Sequence, residues 1–444
     1  FNFDVSVAGL NRDETSPSIY TSDTFKVSKI GQQGDREFLR LSQAHILKNA
    51  YDIYLEAYDL EDNYAEDVNS FFCEGQTINP SPSGLGASSI KVGTDCSGID
   101  VPIIALNESG ISFVHKFSSD NDPKAQETIQ ANSEPEFLYD DVQNRDNDKV
   151  PYVDLYVAGF PCQPFSTMGK QQGFEDDQGR GTIFFDILDY IRTKLPKVFI
   201  LENVKGLVTL DKGKHMNKIL KLLRQIRLRD DDTKAYDVKW KLMNTKEFGI
   251  PHSRPRWYCV GIRKDTLKPE SFAFPGCLEC PAIEDLLDAG SNLPEFRDNS
   301  DQVTKAMYVN INSAIQRIKE SGGNTYQPYV VDCDASKQKS ISMFNVSPCI
   351  TRSRNKGHWL IHKDRRMNIQ EMMKLQGINP TKFTQTVSNS VMGQQLGNAM
   401  SVNVIEQIIV NAFKAAGLIR KSCKKTTKQD LTRWESGRAL SQLK

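Results

Sequence analysis

From residue 90 onward the chain reads as an α/β protein built on a mostly parallel sheet, and three observations point that way. Short apolar runs recur at Ile90–Gly93, Phe113–Phe117, Val153–Ala158, Val198–Leu201 and Trp257–Ile262. Segments with helical spacing separate them, as expected where parallel strands are joined by crossover helices. The 444 residues also leave room for several compact units of about 100–200 residues each.

Taken in order, residues 1–89 form an N-terminal extension that carries no nameable chemistry. Within it Leu39, Ile46, Leu47, Tyr54, Leu55 and Tyr58 recur near helical spacing. The stretch Asn79-Pro-Ser-Pro-Ser-Gly-Leu-Gly86 is turn-forming and marks a boundary. Residues 90–263 hold the five strands, with helices expected at Ile183–Lys194 and His215–Leu228. Residues 264–345 lose this rhythm and predict a smaller irregular domain with one helix, Gln302–Lys319. The rhythm resumes over 346–418, where Val402–Ala416 reads as the last helix, and 419–444 form a basic tail.

Hydrophobic residues at 39% and charged residues at 25% exclude a collagen, a coiled coil and wholesale disorder. No run of about 18 apolar residues and no leader-like N-terminus is readable, so the expectation is an intracellular protein, nuclear in a eukaryote and otherwise cytoplasmic. The chain begins with Phe1 rather than Met, which allows a fragment or a processed product. Nine cysteines without dense spacing fit reduced thiols better than a disulfide framework. Net charge is zero but polarised: residues 1–90 carry 14 acidic and 6 basic side chains, residues 351–444 carry 5 and 17. The basic quarter, with Arg420, Lys421, Lys424, Lys425 and Lys428 close together, suits phosphate binding, although a bare basic run is more often a solvated tail. The acidic segment could meet protein partners.

The chemistry concentrates in Gly159-Phe-Pro-Cys-Gln-Pro-Phe-Ser166, which follows an apolar strand and so sits where open α/β sheets place ligands. Pro161 and Pro164 stiffen the loop around Cys162, which suits a positioned nucleophile. A buried structural cysteine is the commoner fate of a lone Cys, but it would need neither the flanking prolines nor the polar Gln163 and Ser166. A second strand ends in Glu202-Asn203-Val204, on the same sheet edge as Cys162. A partly desolvated carboxylate there could act as a proton donor, and a helix-cap or surface acid is an equally fair reading of Glu202 alone.

Together Pro161-Cys162-Gln163 and Glu202-Asn203-Val204 resemble the C5-cytosine DNA methyltransferase family. His252-Ser-Arg254-Pro-Arg256 resembles its Gln-x-Arg-x-Arg segment, with His252 in place of Gln. Gln370–Pro380, Ser347-Pro-Cys-Ile-Thr351 and Gln395-Leu-Gly-Asn-Ala-Met-Ser-Val402 resemble later family segments in the usual order, so that the likeness spans roughly 90–418. The family's glycine-rich turn stands here as Thr94-Asp-Cys-Ser-Gly-Ile-Asp-Val101, in which only Gly98 survives.

The resemblance implies a Rossmann-like fold of the S-adenosylmethionine-dependent methyltransferases with residues 264–345 as target-recognition domain. It implies S-adenosyl-L-methionine held by Asp95, Cys96, Ser97, Gly98 and Ile99, by Asp120 with Asn121, by Asp141 with Val142, and by Pro161, Asn398, Ala399 and Ser401. Cys162, Glu202, Arg254 and Arg256 would be catalytic, acting on a cytosine turned out of double-stranded DNA, with a monomer sufficient. Two alternatives remain: the family's tRNA-methylating branch, whose Cys-Phe-Thr signature is not found here, and a silent DNA-binding regulator of the same fold. Cys277/Cys280 and His358/His362 have ligand-like spacing, but lone pairs so far apart make coincidence the better reading, and no metal is expected.

Overall fold

A computed structural model describes residues 89–161, 183–228, 231–266, 268, 271–288, 304–419, 433–434 and 437–443. Five parallel strands, β1 (Ile90–Asp95), β2 (Phe113–Ser119), β3 (Phe137–Tyr139), β4 (Leu155–Ala158) and β5 (Val198–Val204), form most of the central sheet. A short hairpin, β6 (Arg227–Leu228) and β7 (Asp231–Lys234), precedes two long strands, β8 (Tyr236–Asn244) and β9 (Pro255–Arg263), which pair antiparallel. The seven-stranded order is β3-β2-β1-β4-β5-β9-β8.

Alternation along the strands explains why the central runs are apolar throughout. Leu155, Val157, Val198 and Ile200 face one core, and Tyr156, Ala158, Phe199 and Leu201 face the other. Helices α1 (Val101–Ser109) and α8 (Val402–Ala416) contribute to the first layer. Helices α3 (Ile183–Lys194) and α4 (Lys214–Arg224) cover the second. Helix α2 (Pro123–Asn132) opens on Asp122, whose side chain accepts from the Lys124 amide at 2.9 Å.

The helix expected at His215–Leu228 stops at Arg224, because Ile226 is drawn into backbone pairing with Ala235 at 2.7 Å and the chain enters β6. Strand β8 carries no continuous apolar run: its central Lys239, Trp240 and Lys241 are partly or largely exposed, so its polar alternation hides it from a search for buried runs.

The smaller unit holds α5 (Lys305–Glu320) and a second sheet of β10 (Tyr329–Val331), β11 (Ser342–Phe344), β12 (Trp359–Leu360) and β13 (Arg365–Arg366), in the order β11-β10-β12-β13. This sheet draws strands from both sides of the expected boundary at 345. Arg366 closes it, binding both carboxylate oxygens of Asp334 at 2.7 and 2.8 Å. The last two labelled helices before α8 are α6 (Ile369–Leu375), opened by an Asn368–Glu371 capping box, and α7 (Asn389–Asn398). Part of the expected basic tail is packed rather than solvated: Arg433 and Trp434 both donate to the buried Glu406 of α8 at 2.9 Å. Residues 1–88, and with them the helix expected at Leu39–Leu60, lie outside the described residues, as do Arg420, Lys421, Lys424, Lys425 and Lys428. Among the described residues no helix is long and apolar enough to cross a membrane.

Candidate active site

A cavity of about 230 Å³ opens at the carboxyl ends of β1 and β4. There the connections diverge, β1 lying between β2 and β4, so the strand ends leave a crevice. One wall is the turn after β1. Cys96, Gly98 and Asp100 take left-handed conformations with φ of 49°, 58° and 59°. Asp100, where the family pattern has glycine, is tolerated there because its carboxylate turns inward. It accepts from the Thr94 and Ser118 hydroxyls at 2.9 and 2.5 Å and faces His115 Nε2 at 3.5 Å. Burial raises the Asp100 pKa, and His115, Ser118 and Thr94 oppose the rise.

Asp95 also turns inward. Arg145 grips both its oxygens at 2.6 and 2.5 Å, and Tyr156 donates to it at 2.5 Å. The Arg145 guanidinium in turn lies 5.1, 5.3 and 5.6 Å from the ring centres of Phe117, Tyr139 and Tyr190. Asp95 thus fixes the frame of the turn, a role not legible from sequence because Arg145 stands 50 residues away. Cys96 lines the cavity as a thiol, its pKa pushed well up by burial and then by Asp95, Asp120 and Asp141. The Ser97 hydroxyl bridges to the Ser119 backbone at 3.0 and 3.1 Å.

Asp120, just past β2, accepts from the Gly98 and Asp122 amides at 2.8 and 3.0 Å and faces the cavity. Its pKa is raised by burial against those two amides. Asn121, Asp141, Val142, Pro161, Asn398 and Ala399 line the same cavity. Two expected members do not. Ile99 is wholly buried in the hydrophobic core, because the turn points it away from the crevice. Ser401 lies behind the wall, its hydroxyl 2.7 Å from that of Thr245 and 3.2 Å from Gln376 Oε1.

The opposite wall carries the charged groups. Because β9 runs antiparallel to β5, its first residues meet the carboxyl end of β5, with Val204 opposite Arg256 and Glu202 opposite Tyr258. Glu202 and Arg256 are therefore diagonal neighbours on one face, and Arg256 Nε reaches Glu202 Oε1 at 3.1 Å. Glu202 is 7% exposed, and burial raises its pKa against the opposing pull of Arg256 and Arg254. Space at Gly159 is close: a Cβ would stand 2.9 Å from Met400 Cε, the movable end of that side chain, and in ordinary contact with Glu202 Oε2 at 3.7 Å.

Arg254 borders the cavity, yet its guanidinium is committed to backbone carbonyls: Ile350 at 2.6 Å, Gly397 at 3.0 Å and Ala399 at 2.5 Å. It is a tie between three segments of chain that meet at the site. His252 makes a second tie. Its Nε2 accepts from the Ile350 amide at 3.0 Å and its Nδ1 donates to the Leu375 carbonyl at 3.1 Å. One donor and one acceptor are also what a glutamine amide would offer, which accounts for histidine at this position. Cys162 lies outside the described residues, while its chain neighbour Pro161 lines the cavity. Arg352, exposed on the cavity rim, and Cys349 beside the two arginines were not among the site residues expected from the sequence, although Cys349 stands within the family-like segment Ser347-Pro-Cys-Ile-Thr351. The ligand-like histidines are otherwise engaged, His362 with Glu284 at 2.8 Å and buried His358 facing Asp332 at 3.8 Å.

Comparison with known proteins agrees with this geometry. The family model for C-5 cytosine-specific DNA methylase matches residues 95–414. The type II methyltransferase M.NgoBI of Neisseria gonorrhoeae is 32% identical over 310 residues, covering 70% of this chain and 89% of that protein. M.DsaV of Dactylococcopsis salina is 31% identical over 315 residues, covering 70% and 82%. Among solved structures, a mutant of Spodoptera frugiperda DNMT2 superposes with a TM-score of 0.50 at 17% identity, covering 73% of this chain and 100% of that one, which speaks to the fold. A parallel sheet with its crevice at β1 and β4, a buried Glu202–Arg256 pair at that crevice and a match over most of the chain lead to one conclusion: the chain belongs to the C-5 cytosine-specific DNA methylase family.

Proposed function

We propose that this chain transfers a methyl group from S-adenosyl-L-methionine to C5 of cytosine in double-stranded DNA, through a covalent bond between Cys162 and C6 of a base turned out of the helix. The observation that carries the reading is the buried Glu202–Arg256 pair facing the same cavity as Asp120 and the Gly98 turn. The donor set fits the methyl donor. Asp120 keeps lone pairs free after its two backbone bonds and would take ribose hydroxyls, Asp141 would lie toward the adenine, and the thiol of Cys96 would cover the ring. When bound, S-adenosyl-L-methionine supplies an electrophilic methyl group for C5 of the activated ring.

The remaining work falls to this chain's own residues. Cys162, as thiolate, adds to C6, which raises electron density at C5 and builds negative charge toward N3. Glu202 offsets that charge by donating a hydrogen bond or proton to N3, and its raised pKa keeps the proton available. Arg256 holds the Glu202 carboxyl in place, and Arg254 holds the surrounding loops. A base, for which a water molecule suffices, then takes the C5 proton, the C–H electron pair re-forms the C5–C6 double bond and expels the Cys162 thiolate, and any proton held at N3 returns to Glu202. Unpairing the target costs a few kcal/mol, about the worth of a few pocket contacts. Residues 264–345 and neighbouring strands β12 and β13 would grip the duplex, with Arg352 at the rim.

The test is incubation of the chain and of Cys162→Ser with methyl-labelled S-adenosyl-L-methionine, offering unmethylated duplex DNA and, separately, tRNA. The expected result is 5-methylcytosine in DNA from the parent chain and none from the variant. Label in tRNA alone would assign the chain to the RNA-methylating reading, and cofactor binding without label would assign it to a silent regulator.

A further inference from the structure

The turn that follows Ser347-Pro-Cys-Ile-Thr351 brings Arg352 to the mouth of the cavity, where its side chain is exposed. Among the described residues three arginines border that cavity. Arg254 is committed to backbone carbonyls and Arg256 reaches Glu202 at 3.1 Å. Arg352 forms no side-chain hydrogen bond or ion pair among the described residues. We propose that Arg352 binds phosphate in the substrate: its guanidinium takes a backbone phosphodiester of the DNA strand whose base enters the cavity. The inference rests on the function proposed above and adds a contact to that same site.

Backbone contact seats the residue. A Cβ added at Gly397 of α7 would collide with the Arg352 amide nitrogen, and one at Gly393 would collide with the Asn355 carbonyl oxygen. These two glycines, about one helical turn apart, let the 351–355 backbone lie directly on α7. Asn355 Nδ2 adds hydrogen bonds to the Ser390 hydroxyl and carbonyl at 2.8 and 3.3 Å. Arg254 binds the carbonyls of both Ile350 and Gly397, at 2.6 and 3.0 Å. The chain entering Arg352 is therefore tied to the wall that carries Glu202, not to the Gly98 turn. The backbone of Arg352 is fixed while its charged end is free, an arrangement that lowers the ordering cost of gripping an incoming ligand.

The charge pattern selects the ligand. Residues 346–363 contain four Lys and Arg side chains and no Asp or Glu. Acids from elsewhere engage two of the four, Arg354 with Asp332 and Lys363 with Glu284, each at 2.6 Å. Arg352 and Lys356 remain, both exposed. Acids bordering the cavity are already engaged: Asp95 by Arg145, Glu202 by Arg256, and Asp120 and Asp141 by backbone amides. The ligand must therefore bring the negative charge. Both the carboxylate of S-adenosyl-L-methionine and a DNA phosphodiester carry one. Arg352 rises from the Glu202 wall at the exposed mouth, whereas Cys96, Gly98 and Asp120 form the wall assigned to the methyl donor, which favours the phosphodiester. A guanidinium meets phosphate through two parallel N–H donors and stays charged at any working pH. Such a contact carries no base information, so it fixes the strand and not the sequence.

The experiment is fluorescence anisotropy with two labelled duplexes of unrelated sequence, each titrated with the chain over a series of salt concentrations. Arg352→Ala should weaken binding about tenfold at low salt, equally on both duplexes within about twofold. It should also make the salt dependence shallower by about one unit of slope, the loss of one phosphate contact. Arg352→Lys keeps the charge without the paired donors and should recover most of the slope and part of the affinity. In the methylation assay the loss should fall on KM for DNA, with kcat within about threefold, because the contact is made equally before and during reaction. Urea unfolding of Arg352→Ala should match the parent, since the exposed side chain has no partner to lose. An unchanged slope in Arg352→Ala, or a loss confined to one duplex, overturns the proposal. So does weakened S-adenosyl-L-methionine binding by calorimetry with DNA binding intact, which assigns Arg352 to the methyl donor's carboxylate. A parent chain that binds neither duplex refutes the proposed function together with this contact, while a parent that binds with a slope independent of Arg352 refutes the contact alone.

Discussion

Replacing His252 tests how the site is held together. The imidazole is wholly buried and bridges two backbone groups, accepting from the Ile350 amide at 3.0 Å and donating to the Leu375 carbonyl at 3.1 Å. His252→Leu fills the space and leaves both groups unpaired. At about 1–3 kcal/mol for each buried group left without a partner, the loss of stability should be about 2–6 kcal/mol. His252→Gln keeps one donor and one acceptor and should cost less than about 1 kcal/mol. Urea unfolding followed by tryptophan fluorescence and circular dichroism measures both.

The pH dependence supplies a second reading of the same residue. Burial, followed by the charge of Arg254, drives the His252 pKa well below its ordinary 6.5. The unfolded chain therefore binds a proton that the folded chain refuses. The stability contributed by neutral His252 is present above about pH 6.5 and declines as pH falls below it, by at most about 1.4 kcal/mol per pH unit. His358, whose pKa burial also lowers, adds a decline of the same sign, so His252→Gln should show a shallower slope than the parent chain. If His252→Leu unfolds at the parent midpoint, or His252→Gln is as unstable as His252→Leu, the bridging role is wrong.

Three further outcomes follow from the geometry. Glu202→Gln should lower kcat for DNA methylation by about 100-fold or more while S-adenosyl-L-methionine binding by calorimetry stays within about twofold, since the carboxyl acts on the base rather than on the methyl donor. Asp120→Asn should weaken S-adenosyl-L-methionine binding about tenfold, and in the parent chain binding should weaken as pH falls through the raised Asp120 pKa, because only the ionised carboxylate accepts both hydroxyls. Arg433→Met leaves the buried Glu406 carboxylate without its main cation and should destabilise the fold by about 3–5 kcal/mol in urea titrations, with the loss shrinking as pH falls and Glu406 takes up a proton.

What the sequence determined by itself was the parallel core and the order of its chemistry. Apolar runs such as Leu155–Ala158 and Val198–Leu201 are legible because both faces of a central strand are buried, so nearly every residue is apolar. Position after such a strand marks Pro161, Glu202 and Asp120 as crevice residues, a consequence of strand direction alone. Strand β8 escaped because an edge strand has a polar side, and the boundary at 345 fell inside a sheet because pairing of β10 with β12 links residues far apart in the chain.

Only the tertiary structure separated roles that the motifs lump together. Arg254 and Arg256 stand two residues apart in one motif, yet one ties backbone carbonyls and the other holds Glu202, since the antiparallel register of β9 against β5 brings only Arg256 into reach of that carboxylate. Asp95 and Asp120 look alike as acids after strands. Arg145, arriving from 50 residues away, engages the first, and the second keeps its free lone pairs toward the cavity. Sequence spacing orders residues along the chain, whereas charge compensation is decided by which distant side chains packing brings within about 4 Å.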